Sequence, residues 1–166
     1  REPRSGETDG HDYYFLSRKE FERRVERGEF LEHAEVHGNL YGTLFAEVTS
    51  RVNDGVDVLL DIDVQGARQV RRQIVRTLLA RNTVFVFLGP PSFGELERRL
   101  RGRGTDSDAM IRQRLNTARS EMKAWREYDF LVINDAVDAA AERLTAILKA
   151  CRCRTTAICS EVWSDV

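Results

Sequence analysis

The sequence predicts an α/β fold in which a parallel sheet carries helices on both faces. From Val56 onward, short apolar runs alternate with segments of helical periodicity, a pattern typical of strand–helix–strand units. The runs at residues 58–62, 83–88 and 130–133 are continuously apolar, as buried parallel strands usually are. We therefore expect these three runs to lie parallel in one sheet.

The residues before Val56 predict a small antiparallel unit. Residues 12–16 form a short apolar run, and Ser17 with Glu20 makes a capping box for a helix that ends near Gly28. Residues 29–36 and 40–43 have the composition of two strands joined by a turn at 37–39. A helix is expected from about Phe45 to residue 53.

Four further helices are expected after the first of the parallel strands. An arginine-rich helix follows Gly66 to about residue 80, and Ser92 with Glu95 forms a second capping box. Asp106 or Ser107 caps the next helix, and a last helix covers about 137–150. The expected buried positions of the last two helices are Ile111, Leu115, Ala118, Met122, Trp125, Leu144, Ile147 and Leu148.

Composition excludes several classes of protein. The 166 residues suffice for one domain with a sizeable core, and a net charge of −1 gives no overall field for nucleic acid or a membrane surface. No run is long enough to cross a bilayer. Cys151, Cys153 and Cys159 include no CxxC pair, which argues against a disulfide framework or a zinc site. A reducing cytoplasm is the expected setting.

Asp61 and Asp63 are the most unusual pair in the chain. They are two residues apart at the end of an apolar run, so in an extended segment both side chains point the same way. Two carboxylates on one face are costly to bury, but they suit a strand end that opens into a cleft. A polar strand end facing water is the alternative explanation.

Other polar residues fall on faces that are otherwise apolar. Tyr13, Glu32, Tyr41 and Thr43 point inward on the antiparallel unit if the strands have a period of two. Tyrosine and threonine are common in sheets without any ligand, whereas Glu32 in an apolar row is hard to explain without one.

Arginines gather around the helix that Ser92 opens. Arg99 and Arg103 are four apart and share a face, and Arg114 lies near the edge of the next helix's apolar stripe. Genomic bias toward arginine codons is the simpler explanation of the large arginine total, so each arginine must be judged by its position.

Six stretches, in this order and spacing, resemble the guanylate kinase family of the bacterial type. They include Gly28-Glu29-Phe30-Leu31-Glu32 and Asp61-Ile62-Asp63-Val64-Gln65-Gly66. The others lie at residues 1–13, 38–43, 90–92 and 99–104, so the resemblance extends to about residue 150. It implies transfer of the γ-phosphoryl group of ATP to GMP, giving ADP and GDP, with Mg²⁺ carried mainly by nucleotide and water.

The resemblance also implies an architecture. It is a P-loop-kinase-like parallel sheet with a small antiparallel GMP-binding lobe and a helical lid. The implied divisions are a GMP-binding lobe at 1–53, a core sheet at 54–92 and 119–150, and a lid at 93–118. Residues 151–166 are expected to be a tail of low order.

Site residues follow from the resemblance position by position. Arg1, Arg4, Tyr13 and Tyr41 would bind the GMP phosphate, Glu32 and Asp63 would accept the guanine N–H groups, Thr43 would hold the base, and Asp61 would organise the site. Arg99, Arg103 and Arg114 would neutralise charge during transfer, and Asn134 would lie near the donor adenine. No protein metal ligand is expected, and the partners are GMP and ATP rather than nucleic acid or membrane.

The sequence departs from the family pattern in one respect. A P-loop of the form G-x-x-x-x-G-K-[ST] belongs upstream of the first arginine motif, and these 166 residues do not contain one. We therefore expect no useful kinase activity from these residues alone. A guanylate-kinase-like interaction module without catalysis is the alternative, and the presence of all three clamp arginines argues against it.

Overall fold

The computed structural model describes residues 2–4, 6–36, 38–102, 104 and 107–155. The chain divides into two compact units, Arg1–Ala80 (unit 1) and Arg81–Val166 (unit 2). Helices and strands alternate through most of the described part, as an α/β chain requires.

Unit 1 begins with a loop and the helix α1, Arg18–Glu26. Ser17 caps it by accepting a hydrogen bond from the Glu20 backbone N–H at 3.2 Å, as predicted. Phe21 is buried on α1, and its ring stacks on Phe30 at 4.4 Å between centroids. The strand predicted at 12–16 does not form, because Tyr13 makes only an isolated bridge to Asp9.

A hairpin of β1, Phe30–Val36, and β2, Asn39–Leu44, follows as predicted. The strands pair antiparallel, with Glu32 opposite Thr43. Leu31 is the most deeply buried large side chain of the described residues, at 2% exposure. Gly42 packs so closely that an added Cβ would lie 2.7 Å from Phe30 Cδ1 and 2.8 Å from the Glu32 carbonyl oxygen.

Unit 1 continues with α2, Phe45–Asn53, and α3, Val64–Ile74. Helix α3 packs against β1, and it begins two residues before Gly66 rather than after it as predicted. Asp63 is the reason, since its side chain caps the helix by accepting the Gly66 N–H. The short helix α4, Leu79–Asn82, completes this part of the chain.

The strand predicted at 58–62 is wrong. Residues 56–63 belong to no helix or strand, and Leu59 is 88% exposed. An apolar run becomes a strand only where its backbone groups pair with a neighbour, and this run forms no ladder in the part of the chain that the structure describes. Exposure nevertheless alternates, with Asp61 and Asp63 on the exposed side and Leu60 and Ile62 half-buried.

Unit 2 contains a parallel pair of strands, β3, Val86–Gly89, and β4, Phe130–Ile133. The register aligns Val86 with Phe130 and Gly89 with Ile133, so these two predicted strands are indeed parallel. Strand β3 starts three residues later than predicted. The Phe85 N–H donates instead to the Asp129 side chain at 2.8 Å.

Two helices of unit 2, α5 at Phe93–Gly102 and α6 at Asp108–Glu121, pack against each other. Their shared cluster consists of Leu100, Ile111 and Leu115, with Phe93 and Leu96 partly buried against it. Ser107 caps α6 by accepting the Met110 N–H at 3.3 Å. A 3₁₀ turn, Met122–Glu127, follows α6.

The last helix, α7, covers Val137–Arg152 and packs on β4. It therefore continues past the start of the predicted tail, and residues 156–166, including Cys159, lie outside the described part. Cys151 and Cys153 are free thiols. Two predicted core residues are exposed, Trp125 at 38% and Leu148 at 42%, because a helical stripe predicts a facing direction but not a partner to cover it.

Candidate functional site

Unit 1 contains an open cavity of ≈ 580 Å³ formed by the β1–β2 hairpin, the loop before α1 and the segment before α3. Its wall is aromatic and aliphatic, with a few polar groups, which is the usual make-up of a small-molecule site. Six of the polar residues that the sequence singled out line it: Tyr13, Glu32, Tyr41, Thr43, Asp61 and Asp63.

Glu32 is a buried carboxylate in this wall, at 8% exposure. Strand pairing places it opposite Thr43, and the Thr43 hydroxyl donates to Glu32 Oε1 at 2.7 Å. A buried carboxylate needs hydrogen-bond donors, and a single hydroxyl satisfies only part of its capacity. Its other oxygen therefore remains suited to an N–H donor.

Asp63, directly before α3, is a second carboxylate that lines the cavity. Its Oδ1 accepts the Gly66 N–H at 2.8 Å, which anchors the carboxylate to the first turn of α3. A Cβ placed on Gly66 would lie 3.3 Å from Glu32 Oε2 and 3.5 Å from Asp63 Oδ1. The two carboxylates thus converge beside one glycine. Like charges so placed favour a ligand that brings N–H donors.

The rim of the cavity includes a residue that sequence reasoning missed. Tyr14 lines the cavity together with Tyr13, although neighbouring residues of a strand would point to opposite faces. The Tyr14 hydroxyl donates to Glu47 Oε1 at 2.7 Å, and this bond raises the pKa of Tyr14 because the carboxylate favours the protonated phenol. The prediction of a strand at 12–16 concealed it.

Of the two phosphate-binding arginines predicted at the start of the chain, the structure describes Arg4 alone. Arg4 is exposed, and its backbone N–H donates to Glu7 Oε2 at 2.7 Å. Its side chain does not line the cavity as described. Arg1 lies outside the described residues.

Unit 2 contains the remaining predicted site residues. Arg99 Nε donates to Glu95 Oε1 at 2.7 Å, and its NH2 group donates to the Asp135 carbonyl at 3.3 Å. If Arg99 belongs to a phosphate clamp, we expect its guanidinium to be exposed and without a carboxylate partner in the absence of ligand, and the bond to Glu95 shows that this expectation is wrong. Glu95 lies one helical turn earlier and also accepts from Arg98, so hydrogen bonds from both arginines lower the pKa of Glu95 to about 2.

Arg114 is half-buried on α6, and Arg103 lies outside the described residues. Asn134 directly follows β4, and its backbone N–H donates to the Gly89 carbonyl at 2.8 Å. Its side-chain Oδ1 is buried with no hydrogen-bond partner among the described residues. A buried acceptor of this kind is unusual and is suited to a ligand donor.

The loop after Asn134 is fixed by a local ion pair. Arg143 NH1 donates to Asp135 Oδ1 at 2.8 Å and to the Ile133 carbonyl at 2.7 Å. This guanidinium, with the Ala136 backbone N–H, lowers the pKa of Asp135 to about 2. The carbonyl of the same Asp135 accepts from Arg99, so the loop and α5 are joined.

The described residues contain no group of three or more His, Cys, Asp or Glu side chains placed to hold a metal ion. None of their helices has the length and apolar character needed to span a bilayer.

Comparison with known proteins gives a consistent result. The family model described as guanylate kinase matches residues 1–151. The guanylate kinase of Geobacter metallireducens is 44% identical over 155 residues, covering 93% of this chain and 73% of the relative. That of Aliivibrio fischeri is 48% identical over 147 residues, covering 89% and 68%.

A solved structure agrees with these relatives. The crystal structure of guanylate kinase from Anaplasma phagocytophilum superimposes with a TM-score of 0.72 at 36% identity, covering 94% of this chain and 73% of that one. This likeness confirms the predicted α/β fold class.

Proposed function

The chain belongs to the guanylate kinase family, and from this premise we propose that the cavity of unit 1 is the site that binds GMP. Members of this family are ATP:GMP phosphotransferases. One observation carries the assignment of the cavity. Two carboxylates, Glu32 and Asp63, converge beside Gly66 in a wall that is otherwise largely apolar.

Guanine presents N1–H and an exocyclic amine on one edge, which are donors for two carboxylates. In the proposed pose Glu32 accepts N1–H while the Thr43 hydroxyl occupies its other oxygen. Asp63 accepts the amine and stays oriented by the Gly66 N–H. Adenine has no proton on N1 and so offers Glu32 no donor there.

The phosphate of GMP is proposed to bind Tyr13 and Tyr41, which line the cavity, together with Arg1 and Arg4. In the reaction, a GMP phosphate oxygen attacks the γ-phosphorus of ATP, the β–γ bridging bond breaks, and ADP leaves. The protein contributes positioning and positive charge to such a step rather than a covalent partner.

The positive charge is assigned to Arg99, Arg103 and Arg114, and the donor adenine to Asn134 with its unpaired Oδ1. We propose that α5 and α6, which share a small apolar cluster, form the lid predicted at 93–118. Because Arg99 is held by Glu95 at the surface, it would exchange this carboxylate for phosphate oxygens when ATP binds.

We propose that Mg²⁺ enters the site with ATP and is held mainly by the nucleotide and by water. Asp61, exposed on the cavity wall, is the carboxylate that would orient its water. When bound with ATP, Mg²⁺ would neutralise charge on the donor phosphates. Free Cys151 and Cys153 suit a reducing compartment, and we propose the cytoplasm.

The test is calorimetric titration of GMP into the unaltered chain and into Glu32→Gln. The amide replaces the charged acceptor of guanine N1–H with a neutral group, and loss of a charged acceptor costs about 1.5–3 kcal/mol, or roughly tenfold to a hundredfold in affinity.

Glu35→Gln is the matched control, because Glu35 is on the same strand but exposed, and it should bind GMP as the unaltered chain does. Equal GMP affinity for the unaltered chain and Glu32→Gln would remove Glu32 from the site.

A further inference from the structure

Gln69 joins α3 to β1 through both polar atoms of its side chain. Its Oε1 accepts the His33 backbone N–H at 3.1 Å, and its Nε2 donates to the His33 carbonyl at 2.9 Å. The amide thus takes the place of a neighbouring strand on the side of β1 that faces away from β2. The contact connects residues 36 apart in the chain.

The two ends of this connection are close to the two carboxylates of the cavity. His33 is the residue after Glu32 on β1, and Gln69 is on the helix that Asp63 caps. Gly66 lies between Asp63 and Gln69 in the chain, and a Cβ added to it would lie 3.3 Å from Glu32 Oε2. The separation of Glu32 from Asp63 is therefore set by how α3 sits on β1.

We propose that Gln69 is a positioning residue that sets the spacing of the two carboxylates and hence the preference of the site for a guanine over a base without the exocyclic amine. This inference rests on the proposed function, in which Glu32 and Asp63 read the guanine edge. A hydrogen bond weakens steeply beyond about 3.2 Å, so both acceptors must be placed together to within a few tenths of an ångström.

The competing explanation is that Gln69 only satisfies two backbone groups at a strand edge. Such a role contributes to stability, since an unsatisfied buried backbone group costs free energy. It does not, however, make Gln69 matter for the choice of base. Discrimination between two ligands therefore separates the two explanations, while a melting temperature alone cannot.

The probes are GMP and inosine monophosphate, which has a hydrogen in place of the exocyclic amine. Gln69→Leu removes both hydrogen bonds at similar volume, and Gln69→Glu keeps the acceptor for the His33 N–H but loses the donor. Gln73→Leu is the control, because Gln73 is exposed on the same helix one turn later. Each chain is titrated with both ligands, and its thermal midpoint is measured.

We expect Gln69→Leu to lower GMP affinity about tenfold, equal to about 1.4 kcal/mol, with a smaller loss for inosine monophosphate. The ratio of the two affinities then falls, with Gln69→Glu intermediate and Gln73→Leu unchanged. If Gln69→Leu does not fold, the ratio of GMP affinity to inosine monophosphate affinity in Gln69→Glu decides between the two explanations.

Two results would contradict us, and they differ. If the unaltered chain binds both ligands equally, the proposed guanine site is wrong and the role of Gln69 with it. If the unaltered chain prefers GMP and the Gln69 variants keep its ratio while melting earlier, the site stands and Gln69 is purely structural.

Discussion

The carboxylates of unit 1 and the arginines of α5 are held in opposite ways. Glu32 is buried at 8% exposure, takes a hydrogen bond from Thr43 across a strand pair, and lies against Gly66. Arg99 is 33% exposed in its side chain and bonds Glu95 on its own helix and the Asp135 carbonyl. The carboxylate in unit 1 is thus buried and held by neighbouring strand and helix residues, which makes it the fixed region. The arginine on α5 is partly exposed and held mainly by a carboxylate of its own helix.

Under the function that we propose, this difference corresponds to the two tasks of a phosphotransferase. A base is selected by acceptors that stay in place, because a small displacement removes the preference. Charge on a transferring phosphoryl group is neutralised by cations that arrive with the closing of the site, so their resting partners must release them readily.

The largest expected effect concerns the buried side of the fixed region. Leu31→Ala removes a side chain that is 2% exposed and should lower the free energy of unfolding by about 2–5 kcal/mol in urea titration. Leu59→Ala, at a position 88% exposed, should change it by less than about 0.5 kcal/mol. If Leu31→Ala changed the free energy of unfolding only slightly, unit 1 would not be the fixed region.

A subtler change should separate stability from affinity. Gly66→Ala places a Cβ 3.2 Å from Ile62 Cβ and 3.3 Å from Glu32 Oε2, so the carboxylate must shift. The gain in helix propensity, about 1 kcal/mol, offsets the crowding, and we expect a nearly unchanged thermal midpoint. GMP affinity should fall by up to about tenfold in calorimetry, equal to about 1.4 kcal/mol.

Gly102→Ala is the control for that variant, since nothing lies within 4 Å of a Cβ there. It should leave GMP affinity unchanged. If Gly66→Ala bound GMP as tightly as the unaltered chain, the site would tolerate a displaced Glu32 carboxylate. The contrast between unit 1 and the arginines of α5 would then weaken.

The next effect concerns the α5–α6 pair. Ser107→Ala removes the cap of α6 and should cost about 1 kcal/mol in urea titration. Ser120→Ala, inside the same helix, should cost nothing, because alanine has the higher helix propensity. If the two variants proved equal, the Ser107 hydroxyl would have no part in holding the helix.

The smallest expected effect is the change in stability with pH that comes from the ion pairs of Glu95. Its arginine partners lower the pKa of Glu95 from 4.5 to about 2. Any stability from these pairs is thus complete above about pH 4.5 and lost as the pH falls through about 2. Carboxyl NMR should show this low titration, and Arg98→Gln with Arg99→Gln should return it toward 4.5. A normal titration in the unaltered chain would mean that Glu95 is not paired in solution.

Local signals in the sequence were reliable guides to the fold. Ser17 and Ser107 cap their helices, and the β1–β2 hairpin pairs as its alternation predicts. The prediction of a strand at 58–62 was wrong because strand formation depends on a partner distant in sequence. An apolar pattern does not identify that partner.

For the candidate site, the sequence indicated several residues that line the cavity, while their roles there stay predictions. Glu32 stood out as a charge in an apolar row, and Asp61 and Asp63 as a pair on one side. The spacing of four residues also predicts a pair between Arg99 and Glu95. The sequence analysis uses Glu95 for a capping box and so overlooks this pair. Gln69 carried no sequence signal, since its role arises only from the packing of α3 on β1.

The close approach at Gly42 limits the paths by which this protein can diverge. Any side chain there would meet the Glu32 carbonyl, which is backbone and cannot turn aside as a side chain could. Descendants of this sequence can therefore exchange residues around the cavity, but they must keep glycine at this position or rebuild the hairpin. The need for glycine at position 42 thus preserves the strand that places Glu32 in the cavity wall.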